Sequence, residues 1–233
     1  MRKIAIVTGG SKGIGKEIAL ELARDGYDII GTYNTSNIEN LKNRVEAIGI
    51  KFYSYKLDLL NEEEVFKFCK EINEKFKNID VLVNNAALSL DCEFLNKNIE
   101  EFKDVLQVNL ISPFLLIQNL NIDNGVIINI ASTDGINTYS KLNIDYSASK
   151  AALINMTKSL SLVLNISIYA ICPNFVNTES IREMDQEYLN AELKRIGQKE
   201  LIEPKEVAKK VIKIIESNIK SGSIIVMEDK NEQ

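Results

Sequence analysis

Histidine and tryptophan are absent from this chain of 233 residues, and proline and cysteine occur only three times each. Without histidine there is no Ser-His-Asp triad, no Cys-His pair and no HExxH zinc site. Cys69, Cys92 and Cys172 are far apart and odd in number, which argues against a disulfide framework or a structural metal site. Basic residues are outnumbered: 28 Lys and Arg stand against 33 Asp and Glu, a net charge of −5. Nucleic-acid binding needs a basic face, so no such partner is expected. Long apolar runs are missing too. None approaches the ~18 residues that span a bilayer. The four apolar residues Ile4–Val7 behind Met1-Arg2-Lys3 are too few for a signal-peptide core of ~7–15. The expectation is a cytoplasmic protein without a membrane partner. What remains is an ordinary globular composition, 45% hydrophobic and 26% charged, on a chain long enough for a large core.

Short apolar runs recur along the chain: Ile4–Val7, Asp28–Gly31, Val81–Val83, Val126–Ile130, Ile166–Ile171, Ser223–Val226 and, more weakly, Lys51–Lys56. Most do not alternate with polar residues, as expected of strands buried on both faces of a parallel sheet. Helical spacings lie between them. Ile14, Ile18 and Leu22 precede a stop at Gly26; Val65, Cys69, Ile72 and Phe76 follow a capping-box sequence at Asn61–Glu64. Phe102, Leu106, Leu110 and Phe114 follow Asn98, 151–164 gives a fourth helix, and Pro204 opens a fifth through Val207, Val211 and Ile214. Alternation from end to end predicts an α/β fold: a doubly wound parallel sheet of about seven strands in a Rossmann-like three-layer sandwich. No repeat or linker divides the chain. The expectation is a single domain over 1–233, with a substrate loop near 174–200 that contains an amphipathic piece at 185–196.

The first strand runs into Thr8-Gly9-Gly10-Ser11-Lys12-Gly13-Ile14-Gly15. Glycines at a first strand-to-helix turn let backbone approach a pyrophosphate, and the helix N-terminus supplies N–H groups and the positive dipole end. This segment resembles the TGxxxGxG turn of the classical short-chain dehydrogenases/reductases. The resemblance continues through Asp58, the Asn84-Asn85-Ala86-Ala87 segment, Asn109, Ser132, the YxxxK signature Tyr146-Ser147-Ala148-Ser149-Lys150, and Pro173-Asn174-Phe175-Val176-Asn177-Thr178. Within the family the pattern is most similar to a 3-oxoacyl-acyl-carrier-protein reductase.

Tyr146 and Lys150 are i and i+4, on one face of a helix. A phenol ordinarily titrates near ~10. A neighbouring ammonium and an oxidised nicotinamide favour phenolate and lower that value, so proton transfer without histidine is possible. An unrelated surface pair has the same spacing, and the surrounding motifs decide for catalysis. The resemblance makes Ser132 the hydroxyl on the substrate oxygen, with Thr133 an adjacent competitor. It makes Asn109 the anchor of a water that completes a proton relay through Lys150. Pro113, four residues after Asn109, cannot close the helical bond to its carbonyl, so a kink is expected there.

Cofactor contacts carried over by position are Gly9, Ser11, Lys12, Gly13, Ile14, Gly15, Tyr33, Asp58 near the adenine, Asn85 and Ala86 along the ribose, Tyr146, Lys150, Pro173, Val176 and Thr178. Asn84 reads as a bridge between strands. NAD enzymes place an acid at the carboxyl end of the second strand. Asp28 is at the wrong end of it, and Thr32-Tyr33-Asn34-Thr35-Ser36 carries no carboxylate. Lys12 fits a 2′-phosphate, although a solvated loop lysine reads the same. NADP(H) is therefore favoured over NAD(H).

The implied activity is hydride transfer between nicotinamide and a ketone or secondary alcohol, with a 3-oxoacyl thioester as one candidate. Alternatives are an NAD-dependent dehydrogenase of another small alcohol, sugar or steroid, and a non-catalytic nucleotide sensor. The implied partners are a small carbonyl or alcohol, carrier-protein-bound if acyl, and further copies of the chain in a homodimer or homotetramer. Arg182, Lys194 and Arg195 are candidates for a basic carrier-docking patch. The chain departs from the family at Ala87, at Asn174 and at Met227-Glu228-Asp229-Lys230. It is also a few residues short before Val126 and before Ile166. Asp134, near the expected reacting carbon, has no family explanation.

Overall fold

The computed structural model describes residues 2–228; Asp229 and Lys230 of the divergent C-terminus lie outside them. Seven strands, β1 (Ile4–Val7), β2 (Asp28–Tyr33), β3 (Phe52–Lys56), β4 (Val81–Asn84), β5 (Val126–Ile130), β6 (Ser167–Pro173) and β7 (Ile224–Met227), form one sheet. Their order is β3-β2-β1-β4-β5-β6-β7, and every pairing is parallel. The order reverses between β1 and β4. There Val7 stands beside Gly31 on one side and Val83 on the other, and the chain leaves the sheet in opposite directions, which opens a crevice at the strand tips.

The continuous apolar runs have a simple cause. Within β1, Ala5 and Val7 face one layer and Ile6 the other, and all three are fully buried. One layer is made by α1 (Gly13–Arg24), α2 (Glu39–Glu46) and the late helix Pro204–Ile215, through Ile18, Leu22, Leu41, Val207 and Val211. The other is made by α3 (Glu62–Lys75), through Val65 and Ile72, by the helix Ile144–Leu160, against which α4 (Ile99–Leu106) packs, and by α5 (Ser112–Asn119), through Leu116. Each such aliphatic side chain contributes about 1.5–3 kcal/mol on burial, so strands covered on both sides need no polar face.

Between α4 and α5 the expected kink is a π-helical stretch, Gln107–Ile111, in which Ser112 N donates to Gln107 O. One extra residue per turn accommodates Pro113 without breaking the helix. The helix α6 (Ile144–Leu160) starts before and ends before the predicted 151–164. Leu162 and Val163, apolar enough to suggest further helix, point outward at 85% and 73% exposure. Between β6 and β7 lie α7 (Glu179–Arg182), α8 (Gln186–Ile196) and α9 (Pro204–Ile215). Among the described residues no helix is long and apolar enough to cross a membrane.

Candidate functional site

The glycine turn is held by main chain together with the short side chains of Thr8, Thr32 and Asn85. Gly9 and Gly13 adopt φ of +63° and +54°, a region that L side chains rarely enter. A Cβ on Gly15 would collide with the Gly9 carbonyl and the Asn85 amide. Thr8 Oγ1 accepts from Asn85 N at 2.9 Å and Ala86 N at 3.1 Å, while Asn85 Nδ2 donates to the Thr8 carbonyl at 2.9 Å. Asn85 and Ala86 thus spend their N–H groups on bracing the turn. Asn84 Nδ2 donates to Asn129 Oδ1 at 2.9 Å, and Asn129 Nδ2 donates to Thr157 Oγ1 at 2.9 Å. That buried chain ties β4, β5 and α6 together, the bridging role read from sequence.

Gly13 N donates to Glu179 Oε2 at 3.2 Å. A carboxylate from α7 therefore occupies a donor that the N-terminus of α1 offers to anions. Lys12 is the exposed N-cap residue of α1; its carbonyl accepts from Lys16 N at 3.2 Å, and its side chain makes no ion pair or hydrogen bond among the described residues. Asp58 follows β3 and accepts from Leu60 N at 3.0 Å. Asp28 sits at the far end of β2, 3.5 Å from Arg2.

At the strand tips a cavity of about 300 Å³ is lined by Ile14, Asn85, Ser132, Tyr146, Lys150, Pro173, Val176 and Thr178 among the predicted residues. The lining also includes Asp134, Thr138, Phe175, Met184, Tyr188 and Glu192. Gly9, Ser11, Lys12, Gly13, Gly15, Tyr33, Asp58, Ala86 and Asn109 are not part of it. Most of these surround the turn of α1 or the tips of β2 and β3, along the crevice rather than in its deepest part. Asn109 lies behind the wall. Its Nδ2 donates to Leu88 O at 2.9 Å and to Ser149 Oγ at 3.0 Å, and its Oδ1 accepts from Leu88 N at 2.8 Å. It clamps the segment after β4 onto α6.

Ser132 Oγ caps a short 3₁₀ turn by accepting from Asp134 N at 3.1 Å. Its competitor Thr133 is buried and donates to Asn174 Oδ1, so Ser132 is the freer hydroxyl. Lys150 is buried, donates to Ile130 O at 2.8 Å, and stands 5.4 Å from the Tyr146 ring centroid. Burial pulls its ammonium down to about 8. The Tyr146 phenol is shifted upward. Burial raises it well above the usual range and the Asp134 charge raises it further, while a hydrogen bond from Ser132 acts the other way. One of the three Lys150 ammonium donors is committed to the Ile130 carbonyl, and two remain for other acceptors.

Polar pins hold the wall opposite the glycine turn. Lys97 Nζ is 3.0 Å from Asp145 Oδ2, with both side chains nearly excluded from solvent, and it also donates to Leu90 O. Gln198 clasps the base of the loop, donating to Phe175 O at 2.8 Å and accepting from Phe175 N at 2.9 Å. Val176 pairs with Ile202 as a bridge beside it. The expected basic patch is dispersed: Arg182 binds Asn177 at 3.1 Å and pairs with Glu179, and Arg195 chelates Glu192 at 2.7–3.1 Å. Glu179, Tyr188 and Glu192 had no distinctive sequence signal beyond lying in the predicted loop.

The family model described as short chain dehydrogenase matches residues 3–189. A 3-oxoacyl-[acyl-carrier-protein] reductase of Aquifex aeolicus is 35% identical over 222 residues, covering 90% of this chain and 88% of that protein. A short chain dehydrogenase of Burkholderia cenocepacia, solved in complex with NADP, superposes with a TM-score of 0.90 at 26% identity, covering 97% of this chain and 96% of the other. A 3-oxoacyl-[acyl-carrier protein] reductase of Brucella melitensis, solved in complex with NAD, gives 0.87 at 26% identity, covering 98% and 96%.

Proposed function

This chain belongs to the short-chain dehydrogenase/reductase family, and from that premise we propose that it is an NADP(H)-linked enzyme interconverting a ketone and a secondary alcohol. The observation that carries the reading is that Ser132, Tyr146 and Lys150 line one cavity at the switch point of the sheet. The glycine turn fits a dinucleotide: it opens α1 at the strand tips, and Gly9 and Gly13 hold it in a positive-φ conformation that presents main chain to the crevice. Gly9, Ser11, Lys12, Gly13, Ile14 and Gly15 would hold the phosphates, with Val176 and Thr178 beside the ring. When bound, the nicotinamide supplies or removes the hydride.

The protein's own part is proton handling. Ser132 Oγ holds the carbonyl oxygen, and Tyr146 Oη gives it a proton as the carbon is reduced; in oxidation the same phenol takes the proton back. Lys150 supplies positive charge beneath the phenol and hydroxyl-binding capacity, and Asn109 keeps α6 in register with the wall. The preference for the 2′-phosphorylated cofactor is supported by Lys12, unpaired among the described residues, and by the absence of a carboxylate in Thr32–Ser36. Segment 174–200 acts as the substrate loop, supported by Phe175, Met184, Tyr188 and Glu192 in the lining.

A 3-oxoacyl thioester is the finer candidate, supported by what the Aquifex and Brucella proteins are named for. A homodimer or homotetramer is proposed for the assembly, supported by exposed Phe94, Leu95 and Ile99. The test is Tyr146→Phe. General acid–base groups contribute about 10²–10⁴-fold, so ketone-dependent NADPH oxidation falls by at least about 100-fold while NADPH binding, read by fluorescence, persists. Retained turnover overturns the assignment.

A further inference from the structure

We propose that Asp134 sets substrate choice, by accepting a hydrogen bond from a hydroxyl or ammonium group carried next to the ketone carbonyl. This rests on the ketone-reductase reading above and departs from its 3-oxoacyl candidate, whose ketone carries no donor on either neighbouring carbon. Asp134 follows Ser132 by two residues, and its N–H is fixed on Ser132 Oγ at 3.1 Å. Both side chains line the cavity that contains Tyr146. A substrate oxygen held between Ser132 and Tyr146 therefore brings the adjoining carbon's substituents to this carboxylate.

The carboxylate is only half satisfied. Oδ1 accepts from Thr138 Oγ1 at 2.6 Å, and Oδ2 has no donor among the described residues. Among the described residues no cation completes it. Arg195 acts on it through space, but its guanidinium is committed to both oxygens of Glu192 and is outside the lining. Burial raises the Asp134 carboxyl, and its charge in turn makes the Tyr146 phenol harder to ionise. The residue thus opposes the proton-transfer chemistry unless a ligand donor faces it. A plain alkyl ketone leaves Oδ2 desolvated and unpaired, and a 2-oxo acid brings a second negative charge against it. A donor on the neighbouring carbon resolves both.

The test compares three ketones of similar size with NADPH: diethyl ketone, hydroxymethyl ethyl ketone, and (dimethylamino)methyl ethyl ketone. A hydrogen bond to a charged group corresponds to about 10–100-fold, and the wild type is expected to favour at least one donor-bearing ketone by that factor in kcat/KM. Asp134→Val abolishes the preference. Asp134→Asn separates the two donors, because an amide oxygen still accepts from a hydroxyl but no longer attracts an ammonium. Should the Val chain not fold, Asp134→Ala truncates the same group without adding bulk. Rates within threefold for all three ketones, or a preference that survives Asp134→Val, overturn the proposal while leaving ketone reduction standing. If no ketone turns over, the reductase reading falls. Ligand-observed NMR of the same ketones on the NADP-loaded protein then decides Asp134 separately: donor selectivity lost in Asp134→Val supports it, and equal binding overturns it.

Discussion

The two walls of the crevice are built by different means. The glycine-turn wall is held mostly by main chain: Thr8 N donates to Val83 O at 3.0 Å and Gly10 N to Thr32 O at 2.9 Å, extending the sheet's own ladder past its end, with the Thr8 hydroxyl and the Asn85 amide as the side-chain braces. The opposite wall, from the segment after β4, the turn after β5 and the loop 174–200, is held by side chains: Lys97 on Asp145, Asn109 on Leu88, Gln198 on Phe175, Arg195 on Glu192. A wall made of backbone can bind a constant ligand part and tolerates little change. A wall made of side-chain pins can be re-cut residue by residue, which is how one fold serves many substrates.

The strongest way to break this contrast is to remove a pin. Lys97→Met leaves the Asp145 carboxylate buried without its partner. Such losses cost about 3–5 kcal/mol. The urea midpoint falls accordingly, and adding Asp145→Asn restores much of it. A loss under about 1 kcal/mol in the single variant means that the far wall does not depend on its pins.

Lys150 stands where the walls meet. Its folded value of about 8 lies below the ordinary 10.5. Between those values the unfolded chain holds a proton that the folded chain has released. Stability from this group therefore rises with pH across that window, by up to about 3 kcal/mol at ~1.4 per pH unit, and is absent below about 8. Cys69 and Cys172, both pushed up to about 12 from 9.0, act with the opposite sign above pH 9. The informative quantity is the difference between wild type and Lys150→Met in chemical denaturation from pH 7 to 10. The variant is inactive yet more stable at pH 7, and its advantage shrinks as pH rises. A pH-independent difference shows that the ammonium is not penalised by burial.

The same contrast explains what the sequence made legible. The strands were visible because burial on both faces leaves continuous apolar runs such as Ile4–Val7. The first turns of α6 were not, because the residues facing inward there are Asp145, Ser149 and Lys150, polar groups that erase the apolar period. The helix α2 was missed for a related reason: only Leu41 and Val45 are buried on it. Tyr146 and Lys150 were legible from local spacing. That Lys150 donates a hydrogen bond to Ile130 O, and that Glu179 returns to Gly13 N, depends on contacts between residues 20 and 166 positions apart. No local pattern encodes such pairings. Asp134 was visible as an oddity, and only the cavity shows what it faces.

Glu179 is where the side-chain wall reaches across to the backbone wall, and it allows the finest test of the contrast. Its carboxylate accepts from Gly13 N at 3.2 Å, so an entering phosphate meets a like charge already at the end of α1. Glu179→Gln keeps the shape and removes the charge. Interactions of a charge with a helix terminus are worth about 0.3–1 kcal/mol near the surface, which converts to roughly a two- to fivefold gain in NADPH affinity, larger at low salt where screening is weak. Calorimetric titration at two ionic strengths reads this directly. Tighter binding that fades with salt means that the substrate loop competes for the cofactor's anchoring amide, so that loop closure and cofactor entry are linked. Unchanged affinity means that the two walls act independently, and the Gly13 contact is then only one resting position of α7.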